Sequence, residues 1–327
     1  MLLRFFRSIS APIIIFVPFF GFLLWLRPII EVPNSSFFFD KVQMPLYKFV
    51  TDILPATSPT ASLLALALVV IQGFLLVRLN TRFIFITNRT YLPAIFFILL
   101  TASFPELQRL NPVIFSGFFL LLALEKIFES MRTQKIAYEY FIAALYISTG
   151  VLFYPFLAFF MVFLWISMSI LKPFNWREWL FTIIGFALPI FFASSFYFLV
   201  YNQPWRLITD IEAVFKFHYT MPDYSPPVLI FLGSILFLIL LSSQFILRTF
   251  PSKKIHQRKA FTIFFWLFSI ALIVFLVVSK ASVELIFLGA IPLSFLLAHY
   301  FALLESTFWG NIFIIFLLLL LLLIQTW

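Results

Sequence analysis

Residues 27–59 read RPIIEVPNSSFFFDKVQMPLYKFVTDILPATSP and separate two long apolar runs, residues 11–26 and 60–77, that contain no charged side chain. A lipid-buried helix cannot contain this stretch, because several charged groups in the hydrocarbon core would cost too much free energy. It is therefore predicted to be an extramembrane loop between two membrane helices. Its charged residues after Arg27 are Glu31, Asp40, Lys41, Lys48 and Asp52.

The composition of the whole chain places it in the membrane class. Of its 327 residues, 63% are hydrophobic and only 11% are charged, whereas a soluble domain carries roughly 25% charged residues. No window is polar enough for a separate soluble domain, so we predict a single membrane domain, residues 1–327. The net charge of +9 flanks the apolar runs, which favours contact with the lipid bilayer and not with nucleic acid.

The apolar runs predict an all-α, polytopic integral membrane protein with about eleven spans (9–13) of roughly 20 residues each. Residues 136–171 would form a helix of ~54 Å, which is too long for one crossing. We expect this segment to fold back at Gly150 and Tyr154-Pro155, because proline disfavours helix at the preceding residue. Residues 91–104 are short for a span and either extend back into residues 83–86 or form a re-entrant hairpin.

The distribution of basic residues predicts the orientation. With the N-terminus in the cytoplasm, fifteen of the 22 lysine and arginine residues fall in inner segments and seven in outer segments, as the positive-inside rule requires. Arg4 and Arg7 precede the first apolar run, which we interpret as an uncleaved first helix. The predicted location is the bacterial inner (cytoplasmic) membrane, with the loops at about 27–59 and 202–227 on the outer face.

Each of these outer loops contains a short amphipathic pattern that predicts a helix lying on the membrane surface. In the first loop the apolar side consists of Leu46, Phe49, Val50, Ile53 and Leu54. In the second loop it consists of Leu207, Ile208, Ile211, Val214 and Phe215. Both loops also hold most of the carboxylates of the outer face, so any chemistry is expected there.

Asp40 is the candidate catalytic residue. It follows Phe37-Phe38-Phe39, and partial desolvation next to aromatic surface can raise the pKa of a carboxylate and suit it to accept a proton. The alternative is an ordinary loop acid paired with Lys41 in solvent.

Arg206, Lys216 and His218 are candidate ligands for the phosphate of a lipid carrier, because guanidinium and ammonium groups form charge-assisted hydrogen bonds to phosphate oxygens. The alternative is that their loop only anchors at the interface, with Trp205 and Tyr219 at headgroup level. We find no metal-ligand cluster, glycine-rich phosphate loop or nucleophile elbow in the sequence, and we predict no cofactor.

Several stretches resemble known families. Residues 144–171, followed by REWLFTIIGFALP, resemble the helix–Tyr-Pro turn–helix core of the GT-C glycosyltransferases, and SVELIFLGAIPLSFLLAHYF at 282–301 is similar to their late proline-containing helix. That resemblance implies transfer of a sugar from a polyprenyl-phosphate lipid, with Asp40 at the position of the acidic residue in the first outer loop. MPLYKF, residues 90–112 and LKPFNWREWL resemble an uncharacterised family of bacterial inner-membrane proteins, over most of the chain.

Two functions follow from these patterns. The first, which we favour because no residue cluster has a specific catalytic spacing, is a non-catalytic structural or accessory subunit of a cell-envelope or protein-export membrane complex, with membrane-protein partners. The alternative is a GT-C-like glycosyltransferase at the outer face. Replacing Asp40 by asparagine is expected to abolish function only in the second case.

Overall fold

The structure, a computed structural model, describes residues 2–7, 11–31, 37–133, 136–203, 205–216, 226–277 and 284–326. Within these ranges the regular secondary structure is entirely helical, as the sequence predicts. In chain order the α-helices are α1 Leu2–Arg7, α2 Ala11–Leu24, α3 Leu26–Ile30, α4 Phe38–Lys41, α5 Pro45–Ile53, α6 Pro59–Phe83, α7 Leu92–Thr101, α8 Pro112–Glu129, α9 Ile136–Val151, α10 Phe160–Leu171, α11 Trp176–Tyr201, α12 Arg206–Lys216, α13 Pro226–Thr249, α14 Ile255–Val277, α15 Leu285–Leu303 and α16 Thr307–Thr326.

Six of the described helices are long and apolar enough to cross a membrane: α6, α11, α13 with the 3₁₀ turn after it, α14, α15 and α16. Four further apolar segments are shorter, namely Pro12–Leu24, Leu92–Thr101, Ile136–Val151 and Pro155–Leu171. The chain is therefore a membrane protein, while the count of about eleven spans stays a prediction.

The predicted fold-back at Tyr154-Pro155 is confirmed. Helix α9 ends at Val151, and a 3₁₀ turn begins at Pro155 and leads into α10. Extension of the short helix α7 into residues 83–86 is wrong, because Ile84 has left-handed backbone angles and ends α6. The side chains of Phe85 and Ile86 are nevertheless buried, which explains why this non-helical segment is apolar.

Helix α15 is the centre of the bundle. In its most apolar 18-residue window 89% of the residues are buried, compared with 11% for α11. Its sequence is apolar on all sides, which is expected of a helix that packs against neighbours all around. It contacts α7, α8, α13 and α14, and Phe295 stacks on Phe264 of α14 at 4.4 Å between ring centroids.

Long-range hydrogen bonds define two ends of the bundle. At one end Arg7 donates to the carbonyls of Phe301 and Leu304, at the C-terminus of α15. We call this end the N-terminal face. At the opposite end the side chain of Arg27 reaches the carbonyl of Gln325; this end also carries α5 and α12, and we call it the loop face.

Ion pairs at the N-terminal face join three helices. Arg82 of α6 pairs with Glu125 and Glu129 of α8, and Lys126 of α8 pairs with Glu139 of α9 at 3.1 Å. These contacts explain why α6 continues to Phe83, beyond the apolar run that ends at Val77. The polar ends of Arg78 and Arg82 reach the carboxylates while the helix continues beneath them.

Helix α11 is held mainly by close packing against the parallel helix α9. A Cβ atom added at Gly185 would lie 2.5 Å from the carbonyl oxygen of Phe141, so only glycine permits this approach. Ser148 of α9 also donates a hydrogen bond to the carbonyl of Phe186 at 2.5 Å. Small residues at a helix–helix contact in a membrane allow such close approach.

Lys253 lies between α13 and α14 at the N-terminal face. We expect it to make the free energy of unfolding depend on pH. Burial lowers the pKa of Lys253 from 10.5 to about 8, and its Nζ lies 2.5 Å from Nε2 of His299. Between pH 8 and 10.5 the unfolded chain binds more protons at this site than the folded chain, so the free energy of unfolding should rise with pH across that window.

We therefore expect Lys253→Met to remove part of the rise in unfolding temperature that the wild type shows between pH 8 and 10. The matched change at the adjacent exposed lysine, Lys254→Met, should leave the rise intact. Equal slopes for Lys253→Met and the wild type would show that the ammonium of Lys253 is not desolvated in the folded protein. The measurement is thermal unfolding of the three proteins in detergent at several pH values between 8 and 10.

Candidate functional site in the loop-face layer

The two predicted outer loops pack together into one layer at the loop face. Helices form where the two amphipathic patterns predict them, as α5 and α12, while their position on a membrane surface stays a prediction. Met44, just before α5, forms a small apolar cluster with Leu152, Tyr197 and Leu207, and the amide of Leu46 donates to the carbonyl of Leu152 at 3.3 Å. The turn between α9 and α10 thus lies between the two loops and connects them.

The apolar sides of these helices are divided between the core and the surface. In α5, Tyr47 is buried, while Phe49 and Ile53 are exposed. In α12, Leu207 and Val214 are buried, while Ile208 is exposed. An exposed apolar residue on a surface helix is suited to the headgroup region of a bilayer.

Asp40 forms an ion pair that the sequence did not predict. Its Oδ2 accepts a hydrogen bond from the Arg109 guanidinium at 2.6 Å and another from the backbone amide of Phe37 at 2.8 Å. The Arg109 side chain is only 4% exposed and that of Asp40 is 28% exposed. The pair connects the first outer loop to the turn between α7 and α8.

Two phenylalanines enclose the guanidinium. Phe37 and Phe39 stack at 5.0 Å with an interplanar angle of 9°, and the guanidinium carbon of Arg109 lies 5.4 and 5.5 Å from their ring centroids. Cation–π contacts of this kind add to the ion pair when the site is shielded from water. We call Asp40, Arg109, Phe37 and Phe39 the Asp40 latch.

The surroundings of the latch are polar but shielded. Tyr47 donates a hydrogen bond to the carbonyl of Leu110 at 3.0 Å, and burial, with a smaller effect of Asp40, raises the pKa of Tyr47. Burial also raises the pKa of Glu106, an effect that the nearby Arg109 partly offsets. The Oδ2 atom of Asp40 already accepts two hydrogen bonds, from Arg109 and from the backbone amide of Phe37, which fix the position of the carboxylate. The geometry of the latch therefore suits a structural connection better than a general base.

A second polar cluster lies on the other side of α5. The guanidinium carbon of Arg206 is 5.4 Å from the ring centroid of Tyr197 and 5.2 Å from that of Tyr201. Burial raises the pKa of Asp210, and Arg206 and Lys48 partly offset this. Tyr47 contacts the first cluster and Lys48 belongs to the second, so α5 separates them.

The predicted phosphate ligands are placed only in part. Arg206 lies against the tyrosines at the end of α11, whereas the side chain of Lys216 and all of His218 lie outside the described residues. Within the described ranges no group of three His, Cys, Asp or Glu side chains is arranged to hold a metal ion. Asp40 and Arg206 have separate partners, Arg109 and the two tyrosines.

The partner of Asp40 was missed because the two residues are 69 positions apart. One signal in the sequence could have pointed to it. Arg109 is the only basic residue in the turn PELQRLNP between α7 and α8, which the charge bias also assigns to the outer face. Its position in a turn on the same predicted face as Asp40 makes it a candidate partner for that carboxylate, although Glu106 in the same turn is another carboxylate with which it could pair.

An apolar groove of about 240 Å³ runs along the bundle near the loop face. It lies between α7, α13, α14 and α15, and its lining includes Ser103, Phe231 and Leu285. Ser103 is only two residues before the 3₁₀ turn that starts at Pro105. The groove therefore ends close to the turn that carries Arg109.

Together, the long apolar helices and the layer of two packed loops define the class of this chain as an all-α polytopic membrane protein. It belongs to the family of unknown function DUF6427, whose family model matches residues 13–326. No curated protein and no solved structure matches the chain.

Proposed function

We propose that this chain is a non-catalytic subunit of a membrane-protein complex of the cell envelope or of protein export in the bacterial inner membrane. The observation that carries the proposal is the surface of α11. This helix packs mainly on α9 and, at its end, on α12. Near its start it also contacts Trp165 of α10, and much of its remaining surface is exposed within the chain.

The exposed surface of α11 is rich in aromatic residues. Phe192, Phe196 and Leu199 follow one another at helical spacing and are 62%, 56% and 79% exposed. The strongly exposed apolar residues of α13 are mainly aliphatic, with Leu236, Leu240 and Leu247 among them and Phe237 as the one aromatic. Aromatic side chains are enriched where proteins bind each other, so α11 is the better candidate for the surface that binds a partner and α13 for one that faces lipid.

The loop face supports the same proposal. The only outer carboxylate that the sequence offers as a catalytic base, Asp40, is paired with a guanidinium that is almost fully buried. Such a pair fixes the position of a loop. An ordered layer of this kind gives a partner a defined surface to bind.

Isolation of the chain from its host in a mild detergent tests the proposal. We expect it to come out with another membrane protein in a fixed ratio. The double change Phe192→Ala and Phe196→Ala should strongly reduce that association, because truncating a buried aromatic anchor costs roughly 2 kcal/mol or more. The matched change Leu236→Ala and Leu240→Ala should not affect it. A chain that is isolated alone and supports normal growth would contradict the proposal.

A GT-C-like glycosyltransferase that uses a polyprenyl-phosphate-linked sugar is the second candidate. The observation that favours it is the apolar groove near the loop face, since an isoprenoid chain could lie there with its phosphate at the loop face. In this case Asp40 would act as the base, and Arg206, Lys216 and His218 would bind the phosphate. The Asp40 variants discussed below separate the two candidates.

A further inference from the structure

A second opening lies at the N-terminal face, far from the loop layer. It is a cleft of about 730 Å³ between the first turns of α9 and α11. This volume is within the range of roughly 300–1,000 Å³ that is usual for ligand pockets. Neither the loop-face site nor the aromatic stripe of α11 involves this cleft.

The cleft has an apolar side and a charged side. Ile136, Phe141 and Phe181 are among its apolar lining residues, whereas Arg177 and Glu178 are its charged ones. A ligand that satisfies both sides must combine an apolar body with a polar head. Lipids of the bilayer have this character.

Glu178 gives the strongest indication that a ligand binds. Only 9% of the residue is exposed. Its Oε1 accepts a hydrogen bond from the Asn175 amide at 3.3 Å, while its buried Oε2 has no hydrogen-bond partner among the described residues. A carboxylate oxygen that is buried without a donor carries a large desolvation penalty, which a donor from a bound molecule would reduce.

The other groups at the cleft favour a ligand that also carries a negative charge. Helices α9 and α11 run in parallel and both begin here, so the positive ends of two helix dipoles lie at the cleft. Arg177 is exposed in the first turn of α11, and a guanidinium is well suited to phosphate. A head that carries both a phosphate and a hydrogen-bonding cation would therefore satisfy Arg177 and Glu178 together.

The position of the cleft supports a lipid as the source of that head. Phe174 and Trp176, at the start of α11, are 76% and 62% exposed. Exposed aromatic residues at the end of a membrane helix lie at headgroup level. A headgroup in the cleft would thus be at its normal depth, with its chains along Phe141 and Phe181.

We infer that the cleft between α9 and α11 binds an aminophospholipid of the phosphatidylethanolamine type. Arg177 and the two helix N-termini bind its phosphate, and Glu178 accepts a hydrogen bond from its primary ammonium. Phosphatidylcholine carries the same charges but has no N–H donor, and phosphatidylglycerol has no cation. The three headgroups therefore separate this site from simple attraction of anionic lipid to a basic residue.

The test uses the full chain, purified in detergent with an equimolar mixture of phosphatidylethanolamine, phosphatidylcholine and phosphatidylglycerol. Native mass spectrometry then counts the lipids that remain bound. We expect the wild type to retain phosphatidylethanolamine about tenfold over phosphatidylcholine, which is the effect of one charge-assisted hydrogen bond. Glu178→Gln should bring this ratio close to one, and Arg177→Ala should reduce retention of both lipids. Lys254→Ala, an exposed cation at the same face, serves as the control and should change neither.

Three results would overturn the inference: equal retention of phosphatidylethanolamine and phosphatidylcholine by the wild type, preferential retention of phosphatidylglycerol, or an unchanged ratio in Glu178→Gln. The unfolding temperature of each variant shows whether it is folded. Should Glu178→Gln fail to fold, the wild-type comparison with N-methylated phosphatidylethanolamines still decides. Retention must then fall sharply at the trimethylated headgroup, where the last N–H donor is lost.

Discussion

Replacing Gly185 by alanine should lower the free energy of unfolding, whereas the same change at Gly233 should leave it unchanged or raise it. The new methyl group at Gly185 would be 2.5 Å from the Phe141 carbonyl oxygen. A backbone atom cannot rotate away, so α11 must move from α9. At Gly233 of α13 no atom lies within 4 Å of the added methyl group.

The two substitutions should change the free energy of unfolding in opposite directions. Overpacking at Gly185 should cost about 1–3 kcal/mol, and the better helix preference of alanine offsets up to ~1 kcal/mol of it. At Gly233 there is no overpacking, so only the stabilisation from the better helix preference of alanine remains. A larger residue increases the contrast, because Gly185→Leu should separate the two helices, while Gly233→Leu meets open space. Unfolding in mixed micelles with increasing dodecyl sulfate measures both pairs, and equal effects at the two positions would contradict the described α9–α11 contact.

The Asp40 latch should show strong coupling between its two charged residues. Asp40→Asn keeps the shape of the side chain but removes the carboxylate that is hydrogen-bonded to the buried guanidinium of Arg109. We expect a loss of roughly 2–3 kcal/mol, below the range for a fully buried pair because the Asp40 side chain is 28% exposed. Arg109→Gln should destabilise through lost packing on Phe37 and Phe39.

The double variant Asp40→Asn/Arg109→Gln should be more stable than Asp40→Asn alone, since the buried charge is removed together with the carboxylate that it binds. A double-mutant cycle should give a coupling energy of about 1–3 kcal/mol. Strictly additive effects would mean that the ion pair does not form. As a control, Asp52→Asn in the same loop, at an exposed position, should leave stability unchanged.

The elements with local signals were predicted well. Helices α5 and α12 are amphipathic over their own length, and the turn at Tyr154-Pro155 contains its own helix-breaking residue, so sequence patterns suffice for them. What the sequence could not supply was contact between distant segments. The ion pair of Asp40 with Arg109 requires a tertiary contact between the first predicted outer loop and the α7–α8 turn. No local sequence pattern predicts that contact.

The same limit applies to helix lengths and to the cleft. The apolar run of α6 ends at Val77, but Arg78 and Arg82 pair with Glu125 of α8 and the helix continues to Phe83. No local pattern in the sequence marks Arg177 and Glu178 as part of a site. Only the parallel packing of α11 on α9, which Gly185 permits, places them beside Phe141 and Phe181.

We propose that Asp40 fixes the loop face and does not take part in chemistry. Growth of a host strain that lacks the chain and carries Asp40→Asn/Arg109→Gln, with chain abundance measured in the same cells, tests it most directly. We predict that the double variant restores both abundance and growth better than Asp40→Asn. If the double variant accumulates to the normal level and the strain still behaves as if the chain were missing, Asp40 has a chemical role and the claim is wrong.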